Sequence, residues 1–321
     1  MRYWSVLILA FLVTTAEAQQ YTVEVLPSEG YIWTVMNDFG ALGGSYFSDN
    51  GDSKLVRRNP SGTLDLPTSM AGEDFIPHAM NNRGDITGNY SGQEGMYSFV
   101  YDSVLTPIPV GQCYDINNRG DVLGIGSHNG VGQVISWNHG VTHGYGGGAT
   151  PGYGVTTTSI NDNGEVVGYE NDREFTYTNA LYWSPEGEVR IIGQGFANSI
   201  NNNGYSVGDT GYIYLHGEPV APYWGNGFYI NDRGSVASNG TIMRNGVLEF
   251  MPDLLAGTGW GWDYTSDGVL DFNNRDEFLV RFYRNGGYTR AILRPVPEPS
   301  TLVAFGLGGL ALLARRRLIR K

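Results

Sequence analysis

The amino-acid sequence predicts an all-β fold, a β-propeller of about seven four-stranded blades, on three observations. A ten-residue signature recurs along the chain. A second turn, flanked by aromatic and apolar residues, usually follows each copy. No window of useful length carries a capped, 3.6-residue apolar period, so helix should be minor.

AMNNRGDITG at 79–88 returns as DINNRGDVLG at 115–124, SINDNGEVVG at 159–168 and SINNNGYSVG at 199–208. YINDRGSVAS at 229–238 and DFNNRDEFLV at 271–280 are further copies, and VMNDFGALGG at 35–44 is the first. The leading residues are Asn37, Asn81, Asn117, Asn161, Asn201, Asn231 and Asn273, at steps of 44, 36, 44, 40, 30 and 42. The mean step, about 39, suits a propeller blade, while the short fifth step leaves six to eight blades open. An open β-solenoid or a pair of β-sandwiches is the competing architecture.

Each copy has a turn logic. The leading Asn can bond its own backbone two residues on, and the Gly three places later supplies the left-handed conformation of a bulged hairpin. Asp276 stands where that Gly belongs, and Asp is among the few residues that tolerate positive φ. Further hairpins follow at Gln133–Trp137 with Asn138-His139-Gly140, and at Thr241–Arg244 with Asn245-Gly246. A four-stranded unit cannot bury both faces alone, and radial packing of such units covers both. The stretch Phe39-Gly40-Ala41-Leu42-Gly43-Gly44-Ser45-Tyr46, with the I-N-x-x-G-x-V-x-G units downstream, resembles the HAF-repeat proteins of bacteria. That resemblance implies an extracellular, propeller-like protein and carries no active site across.

The two ends give an address. Arg2, the apolar run Trp4–Val13 and the small-x-small Ala16-Glu17-Ala18 read as a signal peptide over 1–18, with Gln19 the mature start. The repeat domain is expected over 19–294 and a Pro-rich linker over 295–301. An apolar segment follows over 302–314, expected as a short transmembrane helix, and then a basic cytoplasmic tail over 315–321. Thirteen helical residues reach only about 20 Å, short for a bilayer core of about 30 Å. Pro297-Glu298-Pro299, the apolar run and the membrane-stop cluster Arg315, Arg316 and Arg317 resemble the PEP-CTERM sorting signal of Gram-negative bacteria. In that family the tail is recognised by an exosortase and the protein is sorted to the cell surface or extracellular matrix. The resemblance implies transient contact with the inner membrane, an exosortase-like processing enzyme as partner, and a place in the biofilm polymer.

Between the ends, residues 19–296 hold fourteen Arg plus Lys against thirty Asp plus Glu, a net charge of −16. Such acidity argues against nucleic acid or anionic lipid as a binding partner of the domain. The single Cys113 cannot form an internal disulfide and reads as a buried thiol.

Chemistry is sparse. His139 and His143, with His128 nearby, have zinc-like spacing but sit among glycines and lack the Glu of H-E-x-x-H, so exposed loop histidines are expected and no metal site. Gly144-Tyr145-Gly146-Gly147-Gly148-Ala149 satisfies a G-x-G-x-x-A pattern without a following helix, and Gly144 to Gly154 reads as a flexible inter-blade loop rather than a ligand lid. Arg83-Gly84-Asp85 and Arg119-Gly120-Asp121 are explained by turn chemistry. Ser48-Asp49-Asn50-Gly51-Asp52 gives only a weak calcium signal, since the closing Glu of an EF-hand loop is absent, and no cofactor is expected. Trp260-Gly261-Trp262 is the best stretch for stacking on sugar. No nucleophile elbow or Ser/His/Asp series is present. The expectation is a non-catalytic binding or structural propeller, with extracellular polysaccharide a candidate partner. The alternatives are a propeller glycoside hydrolase or polysaccharide lyase, and a metal-dependent carbohydrate-binding module.

Overall fold

A computed structural model describes residues 20–48, 53–65, 74–92, 95–128, 131–172, 174–223 and 226–296. The signal segment, the sorting motif and the tail lie outside the described residues, as do positions 49–52 of the weak calcium signal. The expected signal and transmembrane helices fall there too; no described helix is long and apolar enough to cross a membrane.

Seven four-stranded antiparallel sheets form the described chain, which fixes the blade number at seven. In blade 1 the strands are Tyr31–Met36, Leu42–Phe47, Ser53–Arg58 and Leu64–Asp65, paired in chain order from the axis outward. Blades 2 to 6 repeat that order, beginning at Asp74, Gln112, Gly154, Ala197 and Tyr229. The first strands of neighbouring blades touch around a closed circle. Blade 7 is built from both ends of the domain. Its inner strands are Gly268–Phe272, Phe278–Arg284 and Gly287–Pro295, and the N-terminal strand Tyr21–Val25 completes it on the outside. Tyr21 pairs with Pro295 and Val25 with Ala291, so the ring is locked by hydrogen bonds between the two ends.

The core is divided among the junctions. Seven buried apolar clusters each join two adjacent blades. Trp33 and Leu42 of blade 1, for example, pack on Leu279 and Ile292 of blade 7. This is why a single blade cannot stand alone: each sheet buries its faces only against its neighbours. The largest cluster, between blades 6 and 7, takes in the only described helix, Met251–Leu254, from the long connecting loop.

The innermost strand slips register by one residue in six blades, for example between Trp33 and Val35 and between Thr157 and Ser159. The bulge brings its carbonyl against the second strand, and a Cβ on Gly88 or Gly168 would lie 2.2 Å from that oxygen. Close approach therefore requires the last glycine of the signature in these copies.

Candidate functional site

The seven signature turns converge on one end of the axis, here called the turn pole. The opposite end, where chain crosses between blades, is the loop pole.

At the turn pole the leading asparagines form a closed belt. Each Nδ2 donates to the backbone carbonyl of the next leading Asn, from Asn37 to Asn81 and onward until Asn273 returns to Asn37, at 2.8–3.2 Å. Each Oδ1 accepts its own chain's N–H groups two and four residues on, at 2.9–3.1 Å. All seven side chains are only 2–5% exposed. The Asn amide supplies both halves, with separate donor and acceptor atoms reaching in two directions; Asp would lack the donor.

A second belt lies one residue on. The side chains of Asp38, Asn82, Asn118, Asp162, Asn202, Asp232 and Asn274 each accept the backbone N–H of the preceding blade's counterpart, at 2.6–3.0 Å, again around the full circle. No two aspartates are adjacent, so every carboxylate sits between amides. Asp38 Oδ2 accepts from Asn82 and Asn274, and Asp232 Oδ2 from Asn202 and Asn274.

Behind the belts the innermost strands surround an axial cavity of about 300 Å³. Asp115 and Asp271 face it from blades 3 and 7. Asp115 accepts from the N–H groups of Ile116 and, in the next blade, Ile160, at 2.8 and 2.9 Å. Asp271 accepts from Phe272 and, across the closure, Met36, at 2.8 and 2.6 Å. Ser199 fills the same place with a hydroxyl that accepts from Ile230 N–H at 3.3 Å. Enclosure by protein raises both carboxyls; Asp271 is pushed up to about 7, helped by the charges of Asp115 and Asp38 and opposed by its two N–H donors. Bulge residues join the lining. Thr158 Oγ1 donates to Ala197 O at 2.7 Å and Asn198 Nδ2 to Gly227 O at 2.9 Å. His78 is held against Asn89 and burial lowers its basicity.

Four residues beyond the leading Asn, blades 2, 3 and 7 carry a carboxylate paired with the turn's own arginine: Asp85 with Arg83, Asp121 with Arg119 and Glu277 with Arg275. In blade 4, Glu165 instead accepts from Tyr182 OH at 2.6 Å and meets His216 Nδ1 of blade 5 at 2.5 Å. Despite its desolvation, these bonds and the one from Asn161 hold Glu165 below the usual carboxylate range. The two Arg-Gly-Asp tripeptides are therefore internal turn pairs, as turn chemistry implies.

The other candidates separate. His139 occupies a positive-φ turn position and is exposed, while His143 lies on the following strand with its ring edge-on to Tyr145. Among the described residues no group of three or more His, Cys, Asp or Glu side chains is arranged to hold a metal. Cys113 is fully buried, donates to Gly88 O at 3.0 Å, and its thiol is pushed up by burial. The glycine-rich loop is not a free lid, because buried Glu170 accepts from Thr150 N–H and Oγ1 while Trp183 Nε1 donates to Gly147 O. The rings of Trp260 and Trp262 both pack on Phe282; Trp262 is buried and its Nε1 donates to Asn239 O, while Trp260 stays half-buried. The sorting residues Pro297, Glu298 and Pro299 and the stop residues Arg315, Arg316 and Arg317 lie outside the described residues.

Fold and axis together define the class: a seven-bladed propeller closed by its own N-terminal strand and belted by turn amides. The chain's more particular label is at its C-terminus, where residues 295–317 match the PEP-CTERM protein-sorting motif. No curated protein sequence matches the chain. Among solved structures it is similar to a TolB-type protein of Agrobacterium tumefaciens, at 16% identity over 56% of this chain and 81% of that one, with a TM-score of 0.38. It is also similar to the Aleuria aurantia lectin solved with Fucα1-6GlcNAc, at 12% identity over 85% of this chain and 99% of that one, TM-score 0.38.

Proposed function

We propose that the chain is an exported surface or extracellular-matrix protein of a Gram-negative bacterium, held by its tail and handled by an exosortase, with the propeller a non-catalytic binding or structural module. The sorting motif at residues 295–317 supports the address. The state of the axial mouth supports the role. Every carboxylate of the second belt, and both carboxylates behind it, already accepts backbone N–H groups from its own or a neighbouring blade. A glycosidase needs one carboxylic acid and one carboxylate free to meet substrate. Here those groups join blades. Extracellular polysaccharide is the partner that this reading favours.

The address is tested by intact mass spectrometry of protein released from the cell surface. Processing predicts a mature chain lacking Leu302–Lys321, and surface material that retains those residues overturns exosortase handling. Incubation with extracellular polysaccharide should give binding without release of reducing ends, and turnover would replace the binding reading with the hydrolytic one.

A further inference from the structure

The topology puts both chain ends at the same pole. Tyr21 opens the closing strand beside Pro295, and its hydroxyl donates to Asp276 O in the signature turn of blade 7 at 2.9 Å. Val296 N–H donates to Gln20 O at 2.8 Å, so the last and first described residues are hydrogen-bonded neighbours. Arg294 pairs with Glu277 of the same turn. The chain therefore leaves for its leader and for its tail from the turn pole, at the rim of blade 7.

The linker is short. Five residues separate Val296 from Leu302, a reach of roughly 20 Å when fully extended. The disc is about as thick as its seven-residue strands are long, roughly 23 Å. The linker cannot carry the loop pole round to a bilayer that holds Leu302.

At the turn pole Arg83, Arg119, Arg233 and Arg275 project from the third turn position with side chains 46–62% exposed. Apolar tips stand beside them: Phe39, Val104 and Val141 are 62, 65 and 71% exposed. At the loop pole Lys54, Arg281 and Arg284 are basic, with Arg281 lying over the Tyr288 ring and Arg284 bound to Asp267. Glu29, Asp172, Glu174, Asp209 and Asp263 lie there too. The four rim arginines are paired with Asp85, Asp121, Asp276 and Glu277, so the point of exit and short reach of the tail, rather than net charge, set which pole meets the bilayer.

We infer that, while the tail is in the membrane, the propeller is held with its turn pole against the phospholipid surface and its loop pole facing away. The loop pole is then the face available to partners. This rests on the reading of the tail as a membrane segment, and the following test separates the two.

The full tail-bearing chain is reconstituted into vesicles containing anionic phospholipid and an energy acceptor on a fraction of the headgroups. A donor dye is attached through Arg233→Cys at the turn pole or Tyr177→Cys at the loop pole; native Cys113 is buried. The expected result is flotation of both proteins with the vesicles and a greater loss of donor emission at position 233 than at 177. Equal losses mean an edge-on or freely tumbling disc and overturn the orientation, as does a greater loss at 177. Failure to float overturns the tail reading and the orientation with it. Circular dichroism of each labelled protein, matched to the parent β-sheet spectrum, excludes misfolding as the source of a negative result.

Discussion

The two poles of this propeller are built by different rules. At the turn pole every blade ends its inner strand in the same way, and two complete rings of side-chain hydrogen bonds pass from blade to blade. At the loop pole each connection has its own solution: a tight crossing at Gly195, a Glu170-pinned loop after blade 3, and a long loop with a helical turn before blade 7. Repetition marks the pole that holds the ring together, and irregularity marks the pole free to differ. A residue that recurs in this chain is thus evidence about assembly before it is evidence about ligand.

The largest expected effect is in the first belt. Asn201→Asp keeps shape and acceptor but replaces the donor to Asn231 O with a buried carboxylate facing that carbonyl. Loss of a buried hydrogen bond together with an uncompensated charge should cost about 3–5 kcal/mol. Urea unfolding at neutral pH reads this directly. A loss under about 1 kcal/mol would mean the belt is ornamental to stability and the contrast between the poles is false.

How much of this was legible in the sequence follows the range of each interaction. Turn chemistry is local, and it could be read: the Asn acceptor, the positive-φ glycines, and even Asp276, which sits at φ 59 as its position requires. The donor half of each Asn acts on a residue 30 to 44 positions away, or 236 at the closure, and no local pattern contains it. A signal existed all the same. The first turn position is always Asn, never Asp or Ser, and the second is always Asn or Asp, which acceptor chemistry alone does not demand. The closing strand YTVEV was invisible for a different reason, since its partner is the far end of the chain. Trp260 and Trp262 looked like a surface because they lie between glycines. Only the fold shows Phe282 beneath them.

A second test exploits charge at the axis. Asp271 has its carboxyl raised to about 7 and Asp115 is raised as well, so the folded state binds these protons more tightly than the unfolded chain. The contribution of Asp271 is fully present below the unfolded carboxyl value near 4 and is lost as pH rises through about 7, and that of Asp115 is lost in the same direction. Asp121, Glu165 and Glu170 are lowered by their hydrogen bonds, so theirs is present above the ordinary carboxyl range and lost in acid. Denaturant midpoints should therefore fall on both sides of a mildly acidic maximum. Asp271→Asn should flatten the neutral limb, changing stability by a few kcal/mol at most between pH 5 and pH 8. An unchanged limb would show that the axial channel solvates Asp271 well enough to keep it ordinary.

The smallest effect is expected at the loop pole. Tyr177 is 63% exposed, and none of the ring pairings of the described aromatics includes its side chain. Tyr177→Ala should leave the unfolding free energy within about 0.5 kcal/mol of the parent. It should also leave the pH profile intact, because no axial carboxylate touches it. If the loop pole is the face presented to polysaccharide, the same substitution weakens retention on the polymer while the melting curve stays where it was. A variant that melted early and still bound would reverse the division of labour, placing structure at the irregular pole and recognition among the repeated turns.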